Sequence, residues 1–215
     1  MTRFFLAAAC FAALGCHADP AADPARQLQS ADVTVRRSAA RALGDLGPQA
    51  EAAVPALQAA LGDSDAETRR LASVALGRIG PAARPALPGL ARLLKDPELS
   101  VRLSAAFAAQ KIDPDNGVYV PVLTRAMQMG EGGVIVSVGN MGPKAQWAVP
   151  ALTSLLQDRR PGIRRLSAEA LGKMGAAARP AEPSLRAATR DPDDRVREAA
   201  QQALAAIGEP PRPGK

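Results

Sequence analysis

Few side chains in this chain of 215 residues have the reactivity that catalysis or metal binding requires. There are two cysteines, Cys10 and Cys16, and one histidine, His17, and all three stand within the first 17 residues. Beyond them no thiol is left for a disulfide, a zinc thiolate or a thiol nucleophile. No imidazole is left either, so a Ser-His-Asp triad or a histidine-based metal centre lacks its base or its ligands. Carboxylates alone can hold a hard cation, but the 21 Asp and Glu residues form no cluster with ligand spacing. These residue types argue against an enzyme and supply no catalytic residue, metal site or cofactor site. What remains is charge: 27 Lys and Arg give a formal net charge of +6, and the arginines recur at a fixed interval.

Cys16 has a context of its own. Residues 1–15 read MTRFFLAAACFAALG, with Arg3 followed by an uncharged apolar run from Phe4 to Leu14. That run is too short to span a bilayer as a helix and suits the apolar region of a signal peptide. The AALGC ending at Cys16 resembles the lipobox of bacterial lipoproteins. The resemblance implies a signal peptide over 1–15, lipid attachment at Cys16 and a tether over 16–25. It places the protein at the cell envelope. His17 in place of Asp after the cysteine implies an outer-membrane lipoprotein facing the periplasm. Ordinary cleavage after Ala18 stays open as the alternative, and gives a soluble periplasmic or secreted protein.

The elements that must position the arginines are helices. Alanine, the strongest helix former, occurs 47 times, against four Phe, one Tyr and one Trp. Such a composition disfavours a β-sandwich or barrel. The chain also repeats itself. VRRSAARALGDLGP starts at Val35, TRRLASVALGRIGP at Thr68 and VRLSAAFAAQKIDP at Val101. GEGGVIVSVGNMGP starts at Gly130, IRRLSAEALGKMGA at Ile163 and VREAAQQALAAIGE at Val196. The spacing is 33 residues, except for 29 between Val101 and Gly130. A second block keeps the same spacing around Pro55, Pro88, Pro121, Pro150 and Pro183. Units of this size bury their apolar faces only against each other.

Each unit reads as a helical hairpin. Val35, Ala39, Ala42, Leu43 and Leu46 recur at helical spacing. Gly47-Pro48, Gly80-Pro81 and Gly142-Pro143 stop the first helix, since Gly takes a positive φ and Pro cannot continue the ladder. The second-block proline sits in the first turn, where its missing N–H does little harm. Asp63, Asp96, Asp158 and Asp191 announce the next hairpin, and Asp96-Pro97 and Asp191-Pro192 read as an N-cap followed by Pro.

This pattern resembles HEAT repeats of the short, alanine-rich kind named after phycobilisome lyases. The resemblance implies an all-α fold, a right-handed α-solenoid of about six helical hairpins, over residues 26–209 with an extended tail over 210–215. It further implies that the second helix of each hairpin lines the concave face. The exposed positions there include Arg92, Lys95, Arg125, Arg186 and Arg190, with no acid among them. They read either as a basic groove for a partner protein with an acidic surface or peptide, or as a solvated face.

Two further features carry a choice. Arg36, Arg69, Arg102, Arg164 and Arg197 each follow the start of a first block. They read as a ligand-binding stripe or as a ladder bonding loop acids and helix ends of neighbouring units. The unit at Gly130 lacks four linker residues and is crowded with glycine, including Gly132 and Gly133. With Tyr119 and Trp147 on either side, it is either a hinge with an aromatic contact or a degenerate repeat whose missing volume those two rings fill.

The function expected is a non-enzymatic scaffold or adaptor at the envelope. The resemblance also admits a phycobilin-lyase-like or oxidoreductase subunit. Deoxyhypusine hydroxylase, another relative of this repeat, holds its metal through His-Glu pairs, and this solenoid has no His to match them. Nucleic-acid binding is permitted by the basic groove but opposed by the secretory leader and by a single Trp and Tyr for base stacking.

Overall fold

The computed structural model describes residues 20–208. The leader over 1–15, Cys16, Ala18 and the tail over 210–215 lie outside the described residues. Within them every regular element is helical. α1 (Ala22–Gln27) is a half-unit, and Ala21 and Leu28 beside it are buried.

Five hairpins follow. They are α2 (Val33–Leu46) with α3 (Val54–Ala60), α4 (Ala66–Ile79) with α5 (Leu87–Leu93), and α6 (Leu99–Ile112) with α7 (Val120–Gln128). Then come α8 (Gly132–Asn140) with α9 (Val149–Leu155), and α10 (Pro161–Met174) with α11 (Glu182–Ala188). α12 (Asp194–Gly208) is a first helix without a described partner. Short 3₁₀ segments join the two helices of every hairpin but the third.

The turn chemistry follows the sequence closely. Gly47, Gly80, Gly142 and Gly175 stand just past their helices with φ of 55°, 81°, 61° and 56°, backbone that an L side chain rarely adopts. The second-block prolines occupy the first helical turn, where no intrahelical donor is lost. One expectation changes. Asp96 and Asp191 do not cap helices; Glu98 stands at the N-cap of α6, and α12 begins at Asp194. Each of these aspartates accepts an N–H two residues on, from Glu98 at 2.9 Å and from Asp193 at 3.0 Å, and keeps its carboxylate for another purpose.

The two helix layers are spaced differently. Within the first layer, Gly77 faces Ala108, Gly139 faces Ala170 and Gly172 faces Ala203 so closely that an added Cβ would stand 2.9–3.0 Å from the facing Cα. The second helices pack less directly on one another. An open groove of about 650 Å³ lies between α3 and α5 and another of about 460 Å³ between α7 and α9, while one of about 510 Å³ lies between the first helices α10 and α12. A two-layer stack bends towards its closer-spaced layer. This spacing argues for the reverse of the expected curvature, with the first helices inside the bend and the second helices outside it.

The stack has one seam. α2 packs on α4, α4 on α6, α8 on α10 and α10 on α12, but this direct first-helix packing lapses between α6 and α8. The Gly–Ala register lapses with it, because Gln110 and Ser137 stand at the equivalent places. Large side chains fill the space there: Leu103, apolar where other units carry Arg37, Arg70 and Arg165, and Phe107, larger than its counterparts Val74 and Val136, pack against the C-terminal core. The buried core accordingly forms two clusters that meet at α6, one running from Ala21 to Ile112 and the other from Ala106 to Ile207.

Candidate functional site

The periodic arginines form a ladder through the loops. Arg36 donates from Nε and Nη2 to the two carboxylate oxygens of Asp63 at 2.6 and 3.0 Å. Arg69 does the same to Asp96 at 2.8 and 3.0 Å, and Arg164 to Asp191 at 2.7 and 2.8 Å. In each case Nη1 turns back to two carbonyls of the preceding loop, such as Asp63 and Ser64 for Arg69. These pairs are largely shielded from water. The Arg69 fork holds the Asp96 carboxyl below its usual range against the opposing effect of burial, and Arg164 does so for Asp191. At Asp63 burial pushes the pKa up, but the bonds from Arg36 and the Asp65 N–H outweigh it. These three arginines therefore tie neighbouring units together and are not offered to a ligand.

The ladder is interrupted at the seam. Among the described residues no carboxylate pairs with Arg102, because Met129 stands where Asp63, Asp96 and Asp191 stand in other units. In the next unit Glu131 replaces the arginine, and Asp158 is served instead by Arg160 of its own loop, at 2.9 Å from each oxygen. That pairing carries Asp158 down to about 2. Arg160 also reaches back to the Met129 carbonyl at 3.4 Å.

The cations expected on the second helices are all exposed. Arg92 on α5 and Arg125 on α7 occupy the same position of successive units; Lys95, just past α5, and Arg190, just past α11, share another. Arg92 lines the cavity over α3 together with Gln58, Ala59, Leu61 and Gly89. Among the described residues Arg92, Lys95, Arg125 and Arg190 have no ion pair. Arg186 differs, since Glu182 one turn earlier on α11 holds it at 2.7 Å. Four of the five cations thus stand open on the second-helix layer, and the fifth is paired within its own helix.

The aromatic pair behaves as core. Tyr119 is buried and meets Trp147 edge to face, with ring centroids 5.9 Å apart. Its hydroxyl donates to the Pro114 carbonyl at 2.7 Å, and burial pushes its pKa up. Trp147 packs against the same core, and its buried Nε1 has no hydrogen-bond partner among the described residues. Gly132 and Gly133 lie in the first turn of α8 with ordinary backbone; the positive φ of this region belongs to Gly130, at 82°.

Among the described residues no group of three His, Cys, Asp or Glu side chains is placed to hold a metal ion. No described helix is long and apolar enough to cross a membrane.

The comparisons with known proteins agree with this architecture. At 26% identity the chain is similar to the CpcE–CpcF complex of phycocyanin lyase from Nostoc sp. PCC7120, covering 88% of this chain and 77% of that one with a TM-score of 0.58. A designed armadillo repeat protein matches at 21% identity, with 86% and 99% of the two chains covered and a TM-score of 0.57. A second designed armadillo protein, solved with the peptide (KR)4, matches at 21% identity, 86% and 98% coverage and a TM-score of 0.52. No curated protein sequence matches the chain. The family model for HEAT repeats matches residues 22–110 and 131–205, leaving out the stretch that holds α7 and the broken rung. The chain belongs to the HEAT repeat family, an all-α solenoid of the kind typical of protein-interaction scaffolds.

Proposed function

We propose that the protein is a non-enzymatic adaptor held at the cell envelope, and that it receives an acidic segment of a partner protein on its second-helix face. One observation carries this reading. Arg36, Arg69 and Arg164 are consumed within the fold, whereas Arg92, Lys95, Arg125 and Arg190 stand open on the second-helix layer with no ion pair among the described residues. Like charge set along one face in this way steers an oppositely charged partner and selects against similar ones. The designed relative bound to a basic peptide supports the use of this fold for charged segments; here the sign is reversed. Anchoring rests on the AALGC at Cys16. Two acyl chains or more would make it stable, whereas one would not.

The test is a crosslinked capture from native envelopes, with wild type beside a variant carrying Arg92→Glu, Arg125→Glu and Arg190→Glu. A protein captured by wild type and lost from the reversed variant, at equal helicity by circular dichroism, supports the reading. Equal capture by both rejects this face. Cys16→Ser should move the protein from the membrane fraction to the soluble one.

The likeness to phycocyanin lyase favours a second reading, a subunit of a chromophore lyase. Visible absorbance in the purified protein after exposure to a bilin would support it.

A further inference from the structure

The gap in the arginine ladder is itself a site: we infer that Arg102 forms a socket for an Asp or Glu carboxylate supplied by a partner protein. This rests on the scaffold reading and names the group that the partner inserts.

Three intact rungs show what the repeat builds here. In each, the arginine meets a carboxylate 27 residues on with two parallel bonds, while Nη1 is fixed by two carbonyls of the preceding loop. Arg102 has the second half of that arrangement. Its Nη1 donates to the carbonyls of Asp96 at 2.6 Å and Pro97 at 2.7 Å, so the guanidinium is held as in its counterparts. The bidentate edge, Nε with Nη2, has no acceptor among the described residues, because position 129 is Met. Arg197 also lacks a following rung, but it turns Nη2 to Asp194. Arg102 is therefore the ladder arginine left without a carboxylate.

A planar fork already fixed in direction loses little freedom when it binds, which favours a carboxylate over a diffuse anion cloud. The surroundings suit an acidic chain segment. Arg125, one turn before Met129 on α7, is exposed and without an ion pair, and Arg160 reaches the Met129 carbonyl. Met129 itself is 53% exposed and gives the socket an apolar lip. Charge complementarity thus points to an acidic residue next to an apolar one in the partner.

The site can be filled from within. Met129→Asp restores the acceptor at the place where Asp63, Asp96 and Asp191 stand, and Met129→Asn supplies the same shape without the charge. In the full chain, Met129→Asp should melt a few °C above Met129→Asn, and this difference should vanish when Arg102→Gln is added. The binding probe is a fluorescein-labelled peptide of alternating Asp and Leu, followed by anisotropy at low salt. Met129→Asp and Arg102→Gln should each weaken the peptide by about tenfold relative to wild type, with Met129→Asn close to wild type.

A Met129→Asp protein no more stable than Met129→Asn would overturn the open fork. Equal peptide affinity for those two variants, or no binding by wild type, would overturn the socket. The capture experiment fails separately. Loss of the partner on reversing Arg92, Arg125 and Arg190, with Met129→Asp behaving as Met129→Asn, would leave the scaffold standing and remove the socket.

Discussion

Arg69 and Asp96, 27 residues apart in sequence, close a two-bond fork that spans two units of the stack at 2.8 and 3.0 Å. Both side chains are nearly removed from water. Asp96 also accepts the Glu98 N–H, so one carboxylate joins a first helix to the loop before the next. Breaking such a pair leaves a shielded charge without its partner. Asp96→Asn should therefore cost about 2–4 kcal/mol in urea unfolding. Asp45→Asn, which breaks the exposed pair with Arg78, should cost less than about 1 kcal/mol.

The ladder also predicts an acid limit. Asp63, Asp96, Asp158 and Asp191 all titrate below the ordinary carboxylate range in the folded chain. A depressed folded pKa contributes stability that is present above the unfolded value of about 4 and is lost as pH falls below it. The melting temperature should hold between neutral pH and about 5, then drop steeply from about 4 towards 2. Asp96→Asn should flatten that drop.

Two glycines in first helices should respond with opposite sign. Gly77 lies against the Ala108 backbone, where a Cβ would stand 2.9 Å from Cα. Gly77→Val should cost at least about 2 kcal/mol and shift the spacing of α4 and α6. Gly133 has nothing within 4 Å of an added Cβ and lies in a helix with φ below zero. Gly133→Ala should stabilise by about 0.5–1 kcal/mol. Thermal melts of the two variants beside wild type check both.

The chain holds a single tryptophan, and it reports on the seam. Trp147 packs edge to face on Tyr119 with its Nε1 shielded, so its emission should be blue-shifted in the folded chain. Tyr119→Phe removes the bond to the Pro114 carbonyl and should cost about 1 kcal/mol. The emission wavelength should change little, since the ring contact is kept.

The helical hairpins, their boundaries and the ladder arginines were legible because a repeat states each rule several times. Gly47, Gly80 and Gly142 each mark a helix end, and each is followed by Pro. Asp96 misled for a local reason: an Asp-Pro pair before a helix reads as a cap, but its carboxylate is drawn away by Arg69 across the unit boundary. Glu182 lies four residues before Arg186, in helical register, so that pair is written in the sequence, although Glu182 stands off the outward stripe that the cations mark. The curvature depends on the difference between two interlayer spacings, which no single helix encodes. The Gly–Ala register that narrows one layer is nonetheless written in Gly77 and Ala108. The broken rung was equally present, as a Met where four units carry Asp, and its meaning depends on where the acceptor stands in the folded stack.

The seam at α6 sets a rule for how such a chain can grow or shrink. α6 gives Ala105, Ala108 and Ile112 to one core and Ala106 and Ala109 to the other, so it is a party wall between two rooms. Units on either side couple only to their neighbours and can be gained or lost singly, as in any repeat array. The wall itself is different. Deleting it strips both rooms at once, and copying it sets a Gly–Ala face against one shaped by Leu103 and Phe107. The chain is modular everywhere except at the one place where it departs from its own repeat.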